Sequence, residues 1–187
     1  PRSELNLAGN QTRSLELFNT REKLFLSELN LSANPLTDLE PLQKHRIQSL
    51  NISQTHTENT SPLEHIADLE KLDLSATPIE AIDWTRPLLK LRELDLSRTR
   101  IHAADFLTQT PHLERLSLAH TAASVLPETP LTNLRELDLS FSQFEDLDSD
   151  PIDSIGALKT IGVAHRKFDQ ALGKEALQWE FIANWVT

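Results

Sequence analysis

One short leucine motif returns along almost the whole chain at a nearly constant spacing. Its pattern is L-x-x-L-x-L-x-x-[N/T/S]-x-[I/L/F], and the last leucine of each L-x-L follows the previous one by 21 to 24 residues. The residues at that position are Leu7, Leu31, Ile52, Leu74, Leu96, Leu118, Leu139 and Val163. Self-similarity at such a period is the signature of a solenoid, whose units stack on their neighbours. The chain is therefore expected to present a long surface instead of one deep pocket.

The L-x-L segment predicts a short strand in each unit. Leucines at alternate positions point to one face of a strand, here into the core, and the intervening residues point to the other face. The rest of each unit contains prolines, which lack a backbone donor and stop long helices. One unit cannot bury its own leucines, but stacked units share a continuous core. We predict an α/β class fold with a curved parallel β-sheet on the concave side and 3₁₀, extended or short helical segments on the convex side.

These copies resemble the leucine-rich repeat family in its short 22-residue class, over roughly residues 3–168. The family usually places Asn or Cys after L-x-L-x-x, and Asn10 and Asn34 follow that rule. The later units carry a hydroxyl instead, at Thr55, Thr77, Thr99, Thr121 and Ser142. Because a hydroxyl has one hydrogen to donate and an amide has two, we expect fewer hydrogen bonds in these turns. The resemblance implies a protein-binding function without catalysis.

The repeat pattern divides the chain into a solenoid of about eight units, residues 1–168, and a C-terminal cap, residues 169–187. The cap region breaks the repeat, and its apolar residues, Trp179 and Trp185 among them, partly follow helical spacing. We predict a helical cap over the last unit; a docking segment for a neighbouring domain is the alternative. The first unit begins without the polar-faced cap that solenoids need for solubility. The chain is therefore expected to be a fragment of a longer protein.

The composition excludes several classes of function. A net charge of −10 argues against nucleic acid, which needs a basic stripe, and no apolar run is long enough to span a membrane. The absence of cysteine excludes disulfides and thiol nucleophiles, and favours a cytoplasmic setting or a bacterial source. The histidines lack metal-binding spacing, and Asp73 with Asp95 offer too few oxygens for calcium. We expect no cofactor, no metal site and no enzymatic activity.

The residues between and beside the L-x-L leucines form columns along the concave sheet, and these columns are the candidate binding surface. The central column changes from amides to carboxylates along the chain, so Asp73 and Asp95 are expected about 5 Å apart on adjacent strands. Larger side chains begin at Arg98 in the last column. The candidate contact residues are Lys71, Asp73, Glu93, Asp95, Arg98, Arg115, His120, Glu136, Asp138 and Phe141.

Two further expectations concern single side chains. Trp84 lies in a return stretch and is expected to pack on the convex side. Asp95 and Asp138 are expected to be exposed, so that reversing both to Lys leaves the melting temperature almost unchanged.

Three functions fit this pattern. The first is a protein–protein interaction module, a monomer or part of a larger chain, whose acidic concave column binds a partner with a basic surface. The second is a regulatory or substrate-recruiting domain of a larger enzyme, such as a kinase or ligase, whose chemistry lies outside these residues. The third is a structural spacer without a specific partner, because the recurring L-D-L-S also fits unselected drift of a duplicated unit.

Overall fold

The computed structural model describes residues 3–129, 131–144, 160–162 and 180–181. Within them a single sheet contains nine strands in chain order, and every neighbouring pair is parallel. The strands are β1 (Glu4–Asn6), β2 (Phe25–Asn30), β3 (Arg46–Asn51), β4 (Lys71–Asp73), β5 (Glu93–Asp95), β6 (Arg115–Ser117), β7 (Glu136–Asp138), β8 (Thr160–Gly162) and β9 (Glu180–Phe181). The predicted parallel-sheet solenoid is confirmed.

The strand register places the motif leucines in ladders that run through the core. From β2 to β8 the paired residues are Leu29, Leu50, Leu72, Leu94, Leu116, Leu137 and Ile161, and all are buried. The second leucine of L-x-L forms a parallel buried ladder of Leu31, Ile52, Leu74, Leu96, Leu118 and Leu139. Val163, the next residue expected in this ladder, lies outside the described residues. Each leucine is thus covered by its counterparts in the adjacent units, as a solenoid requires.

The convex side consists of short 3₁₀ turns and extended segments, as predicted. The turns are Glu16–Phe18, Glu40–Leu42, Ser61–His65 and Asp105–Gln109, and the part of the chain that the structure describes has no α-helix. Pro41 and Pro62 stand at the start of their turns, where the missing N–H costs nothing. Trp84 is 5% exposed, donates its Nε1–H to the Thr60 carbonyl at 3.1 Å and packs edge-on against Phe106. Its predicted convex-side packing is confirmed.

The turn that follows each strand is held by the predicted polar ladder. The Asn34 Nδ2 lies 2.8 Å from the Leu7 carbonyl and 2.9 Å from the Leu31 carbonyl, and its Oδ1 accepts from the Thr12 N–H at 2.8 Å. In the later units one hydroxyl donates to the carbonyl three residues before it, at 2.6–2.8 Å, in Thr55, Thr77, Thr99, Thr121 and Ser142. The hydroxyl turns therefore make fewer bonds than the Asn34 turn, as expected from donor counts.

A buried histidine ties the first convex segment to the second. His45 is 2% exposed, and its Nε2 lies 2.8 Å from the Phe18 carbonyl while its Nδ1 lies 3.1 Å from the Leu24 nitrogen. Because a carbonyl can only accept and an N–H can only donate, these partners assign the proton to Nε2. The repeat pattern gives no indication of this role, since the bonded residues belong to different units.

The predicted C-terminal cap, residues 169–187, lies outside the described residues except at Glu180–Phe181. These two residues form β9, in which Glu180 pairs with Thr160 and Phe181 with Ile161 of β8. At this one point the backbone is extended where the spacing predicts a helix. The cap and the division after residue 168 stay predictions.

Candidate partner-binding surface

The ten candidate residues fall into three lines that run across successive strands. The outer column consists of Lys71, Glu93, Arg115 and Glu136, which pair in register from β4 to β7. The central column contains the candidates Asp73, Asp95 and Asp138, and Ser117, which is not a candidate, completes its register on the same strands. The rim consists of Arg98, His120 and Phe141, three residues beyond the central column of their own units. The strands therefore bring each line together as the spacing predicts.

The outer column is a chain of alternating charges that neutralise one another. The Lys71 Nζ lies 2.9 Å from the Glu93 carboxylate, and the Arg115 guanidinium lies 3.3 Å from Glu93 and 3.0 Å from Glu136. Each of these pairs is exposed enough that its contribution to stability is small. Their effect on recognition is larger, because Glu93 and Glu136 already hold cations that belong to this chain. A basic partner would have to displace Lys71 or Arg115 to reach them.

The central column shapes the backbone turn after each strand. The Oδ1 of Asp73, Asp95 and Asp138 accepts the backbone N–H two residues on, at 2.9, 2.8 and 2.9 Å. The amides of Asn6, Asn30 and Asn51 do the same in the earlier units, at 3.0, 3.0 and 2.9 Å. Short Asn and Asp side chains form such turns readily because they can reach their own backbone two residues later. The column is therefore structural as well as a candidate for contact, and the recurring N/D-L-S is its signal in the sequence.

The central carboxylates are less exposed than the sequence suggests. Asp138 is only 6% exposed, and Asp73 and Asp95 are partly buried. Burial raises the pKa of Asp95, and the charges of Asp73 and Asp138 raise it further, against the hydrogen bonds from Ser97. The expectation that Asp95 and Asp138 are exposed is wrong for Asp138, since its side chain is buried and its Oδ1 accepts the Ser140 N–H.

Asp73 and Asp95 are direct neighbours on β4 and β5 and form no ion pair within the described ranges. A shallow depression of about 310 Å³ lies over this part of the sheet, and Lys71, Glu93 and Arg115 line it together with the two aspartates. Two like charges on adjacent strands are unfavourable unless water or a cation meets them. The geometry thus offers a partly enclosed acidic pair that is open to a positive group.

The rim has an unusual backbone conformation. Arg98, His120 and Phe141 have φ of 58°, 56° and 58°, in the left-handed region that L-residues seldom adopt. The same position holds Gly9, Ala33, Gln54 and Ala76 in the earlier units, also with positive φ. The rings of His120 and Phe141 stack with centroids 4.4 Å apart and planes within 11°, and Phe141 is 45% exposed. Large side chains therefore occupy three successive turns at the end of the strands.

A second charged cluster lies at the opposite end of the strands and is not among the predicted site residues. Asp68 accepts hydrogen bonds from Arg46 and from Lys90, and these bonds lower the pKa of Asp68 to about 2. The Arg46 guanidinium also lies 5.1 Å from the ring centre of Phe25. The three charged residues are 22 positions apart, so the repeat period itself contains the signal for this cluster.

The described part of the chain contains no group of three or more side chains arranged to hold a metal ion. Over the same residues, no helix is both long and apolar enough to cross a lipid bilayer.

Comparison with known proteins agrees with this architecture. A family model described as leucine rich repeat matches residues 131–147. A leucine-rich repeat protein of Leptospira interrogans has a similar structure, with 20% identity, a TM-score of 0.75, and coverage of 96% of this chain and 54% of that one. An internalin (inlF) of Listeria monocytogenes matches with 19% identity, a TM-score of 0.55, and coverage of 86% and 53%.

Internalin C2 of the same organism matches with 19% identity, a TM-score of 0.55, and coverage of 87% of this chain and 80% of that one. No curated protein matches the sequence. The chain spans about half the length of the Leptospira protein and of the inlF internalin. The repeat motif, the parallel sheet and these neighbours together show the leucine-rich repeat fold, and residues 131–147 match the family model itself.

Proposed function

We propose that this protein is an interaction module whose concave sheet face binds a partner protein through a basic side chain placed between Asp73 and Asp95. The observation that carries the proposal is the contrast between two kinds of carboxylate on the same strands. Glu93 is held by Lys71 and Arg115, whereas Asp73 and Asp95 have no cation among the described residues. A basic side chain of the partner would supply the cation that these two aspartates lack.

The structure around the two aspartates suits an incoming guanidinium or ammonium group. The Oδ1 of each aspartate accepts a backbone N–H, and neither carboxylate forms an ion pair within the described residues. Burial raises the pKa of Asp95 and the charge of Asp73 adds to this effect, and a cation between the two strands would relieve that repulsion. The small side chains of Ser75 and Ser97 beside the pair leave room for an approaching chain. Asp138 lies two strands beyond Asp95 and would add to the attraction at longer range.

Several coarser features belong to the same proposal. A module of this kind acts by binding and needs no catalytic group or cofactor of its own. The lack of cysteine favours a cytoplasmic setting, where disulfides are rare. The chain would act as a monomer or as part of a larger chain. A regulatory or substrate-recruiting domain of a larger enzyme, such as a kinase or ligase, is the alternative setting for the same binding surface.

A spacer without a specific partner is the second candidate, and the outer column favours it. Lys71, Glu93, Arg115 and Glu136 satisfy one another, so this line of the surface needs no partner. Such self-neutralised ion pairs connect consecutive units and would keep a repeat array in register. A spacer would show no preference for basic sequences.

Selection of peptides from a random displayed library on the immobilised protein would test the interaction module against the spacer. The wild-type chain should enrich peptides that contain Arg or Lys. The Asp73→Asn/Asp95→Asn chain should lose that enrichment, because it removes both charges and keeps a side-chain oxygen for the turn, as Asn30 and Asn51 have. Glu58→Gln/Asp83→Asn removes two exposed charges from the return segments and should behave as wild type. Failure to enrich basic peptides on the wild-type chain would contradict the proposal.

A further inference from the structure

We infer that the rim of Arg98, His120 and Phe141 is a second contact surface, which takes an acidic side chain of the partner next to an aromatic or apolar one. The inference rests on the proposed function and extends it, because the partner would then carry a base for the aspartate pair and an acid for the rim.

The left-handed turn is common to the units, and the rim differs from most of the earlier units in the size of its side chains. An L-residue in the left-handed region is strained, and glycine is the residue that avoids this strain. Gly9 stands at the equivalent position of the first unit, and Ala33, Gln54 and Ala76 stand there in the next three units, also with positive φ. Nothing in the turn therefore requires bulk, yet three successive units have an arginine, a histidine and a phenylalanine. Large exposed side chains that the turn does not need are available for contact with a partner.

The side chains of the rim have the chemistry of an interface anchor. His120 and Phe141 stack face to face, which presents a flat, partly apolar surface, and Phe141 is 45% exposed. Arg98 is exposed and makes no ion pair to any described residue. Aromatic residues and arginine are enriched among the residues that dominate binding energy at interfaces. Adjacent parallel strands lie about 4.8 Å apart, so three of them extend the rim over about 10 Å.

The charge of the rim is opposite to that of the central column in the same unit. Arg98 follows Asp95 by three residues, and Ser97 between them bonds the Asp95 carboxylate. A partner segment that crosses the sheet from centre to edge would therefore meet an acidic pair first and a cation with an aromatic stack next. The cluster of Phe25, Arg46, Asp68 and Lys90 offers no comparable surface, since its carboxylate already binds both cations.

The experiment measures the affinity of peptides selected on the wild-type chain for rim variants. Arg98→Ala/Phe141→Ala removes both anchors and should keep the fold, because Ala33 and Ala76 show that alanine is accepted in this turn. Gln54→Ala makes the same kind of truncation at an equivalent position outside the rim. We expect the double variant to bind about tenfold or more weakly, as loss of an interface anchor does. The Gln54→Ala variant should bind like wild type, and the selected peptides should carry Asp or Glu beside an aromatic or apolar residue.

The outcomes separate this inference from the proposed function. One outcome is that the peptides bind the rim variant as well as wild type but lose affinity for Asp73→Asn/Asp95→Asn. It would contradict the rim as a contact surface and would support the proposed function. Peptides insensitive to both variants would overturn both. Loss of affinity in both variants, with Gln54→Ala unaffected, supports the two-part surface.

Discussion

The Oδ1 atom of Asp95 lies 2.8 Å from the backbone nitrogen of Ser97 and accepts its hydrogen. The carboxylate therefore completes a turn and at the same time places a charge beside Asp73 on the concave face. Substitutions at this position must be chosen with both roles in mind. Asparagine keeps an oxygen that can accept the Ser97 N–H and removes the charge. Lysine lacks that oxygen and reverses the charge.

Asp95→Asn should raise stability at neutral pH, and the gain should fade in acid. The pKa of Asp95 is raised in the folded state, chiefly by burial, so ionisation destabilises the fold above that pKa. Below the ordinary carboxyl pKa of about 3.9 both states are protonated and the penalty disappears. Urea midpoints of wild type and variant at pH 7 and near pH 3.5 would show the difference shrinking. A gain that grows in acid would contradict the assignment.

Asp95→Lys should lower stability by about 1–2 kcal/mol, because the Ser97 N–H loses its acceptor. Thermal unfolding is compared with Asp95→Asn, which keeps the acceptor without the charge, and with Asp95→Ala, which has neither; the difference between these two neutral variants isolates the hydrogen bond. The structure therefore predicts a lower melting temperature for this charge reversal, where the sequence predicts almost no change. Equal melting temperatures for the Lys and Asn variants would show that the turn does not depend on this oxygen.

Thr77→Val should cost about 1–3 kcal/mol, and Thr99→Val should cost less. Both hydroxyls donate to the carbonyl three residues earlier, at 2.6 and 2.7 Å. The Leu96 carbonyl also accepts the Thr99 N–H at 3.3 Å, so it keeps a partner when the hydroxyl is removed. Chemical denaturation of the two variants gives the comparison, with Thr37→Val, at an exposed site, as the control. A larger loss in Thr99→Val would contradict this reading of the ladder.

Ala76→Gly should leave stability unchanged or raise it by up to about 1 kcal/mol, since glycine accepts the left-handed conformation that alanine adopts at a cost. Ala76 has φ of 53°. Ala119→Gly is the matched control, because Ala119 is buried and is not among the positive-φ residues. That variant should lose about 0.5–1 kcal/mol. Urea unfolding of both variants gives the two changes in the free energy of unfolding. A loss for Ala76→Gly as large as that for Ala119→Gly would contradict backbone strain at Ala76.

Asp68→Asn should destabilise the protein at neutral pH, with a difference from wild type that narrows in strong acid. Hydrogen bonds from Arg46 and then Lys90 hold the pKa of Asp68 at about 2. A lowered carboxyl pKa stabilises the fold above its unfolded value and loses that contribution as pH falls through the folded value. Unfolding midpoints should therefore differ steadily from pH 7 down to about pH 4 and converge below it. A constant difference through pH 2.5 would contradict the ion-pair origin.

The repeat period is strong enough to predict the fold and the positions of the surface residues. Leu72, Leu94 and Leu116 recur at one spacing, and a shared core is the way such units bury them, so the sheet and its register follow. What Asp95 and Arg98 do within their columns does not follow from the period. The hydrogen bond to Ser97 and the positive φ are properties of the turn, and an exposed position in a pattern looks the same whether its side chain is solvated or bonded.

Side-chain contacts between neighbouring units are the other part that the sequence does not predict. His45 bonds Phe18 and Leu24 of an earlier unit, and Lys71 neutralises Glu93 of the next. Such pairs depend on which side chains of neighbouring units face each other. The acidic column is predicted correctly, but the neutralisation of Glu93 and Glu136 by the chain's own cations is not. Because Glu93 and Glu136 are already paired, the proposed binding site for a basic group consists of Asp73 and Asp95.

The most direct measurement is a double-mutant cycle between Asp95 and the basic residue of a selected peptide. Affinities would be obtained by calorimetry for wild type and Asp95→Asn, each with the peptide and with its Arg or Lys replaced by Gln. The proposed contact predicts a coupling energy of about 1 kcal/mol or more, as close charge pairs across interfaces give. The same cycle with Asp83→Asn, an exposed acid in a return segment, should give a coupling near zero. Additive effects at Asp95, with no coupling to the peptide's basic residue, would contradict the proposed binding site.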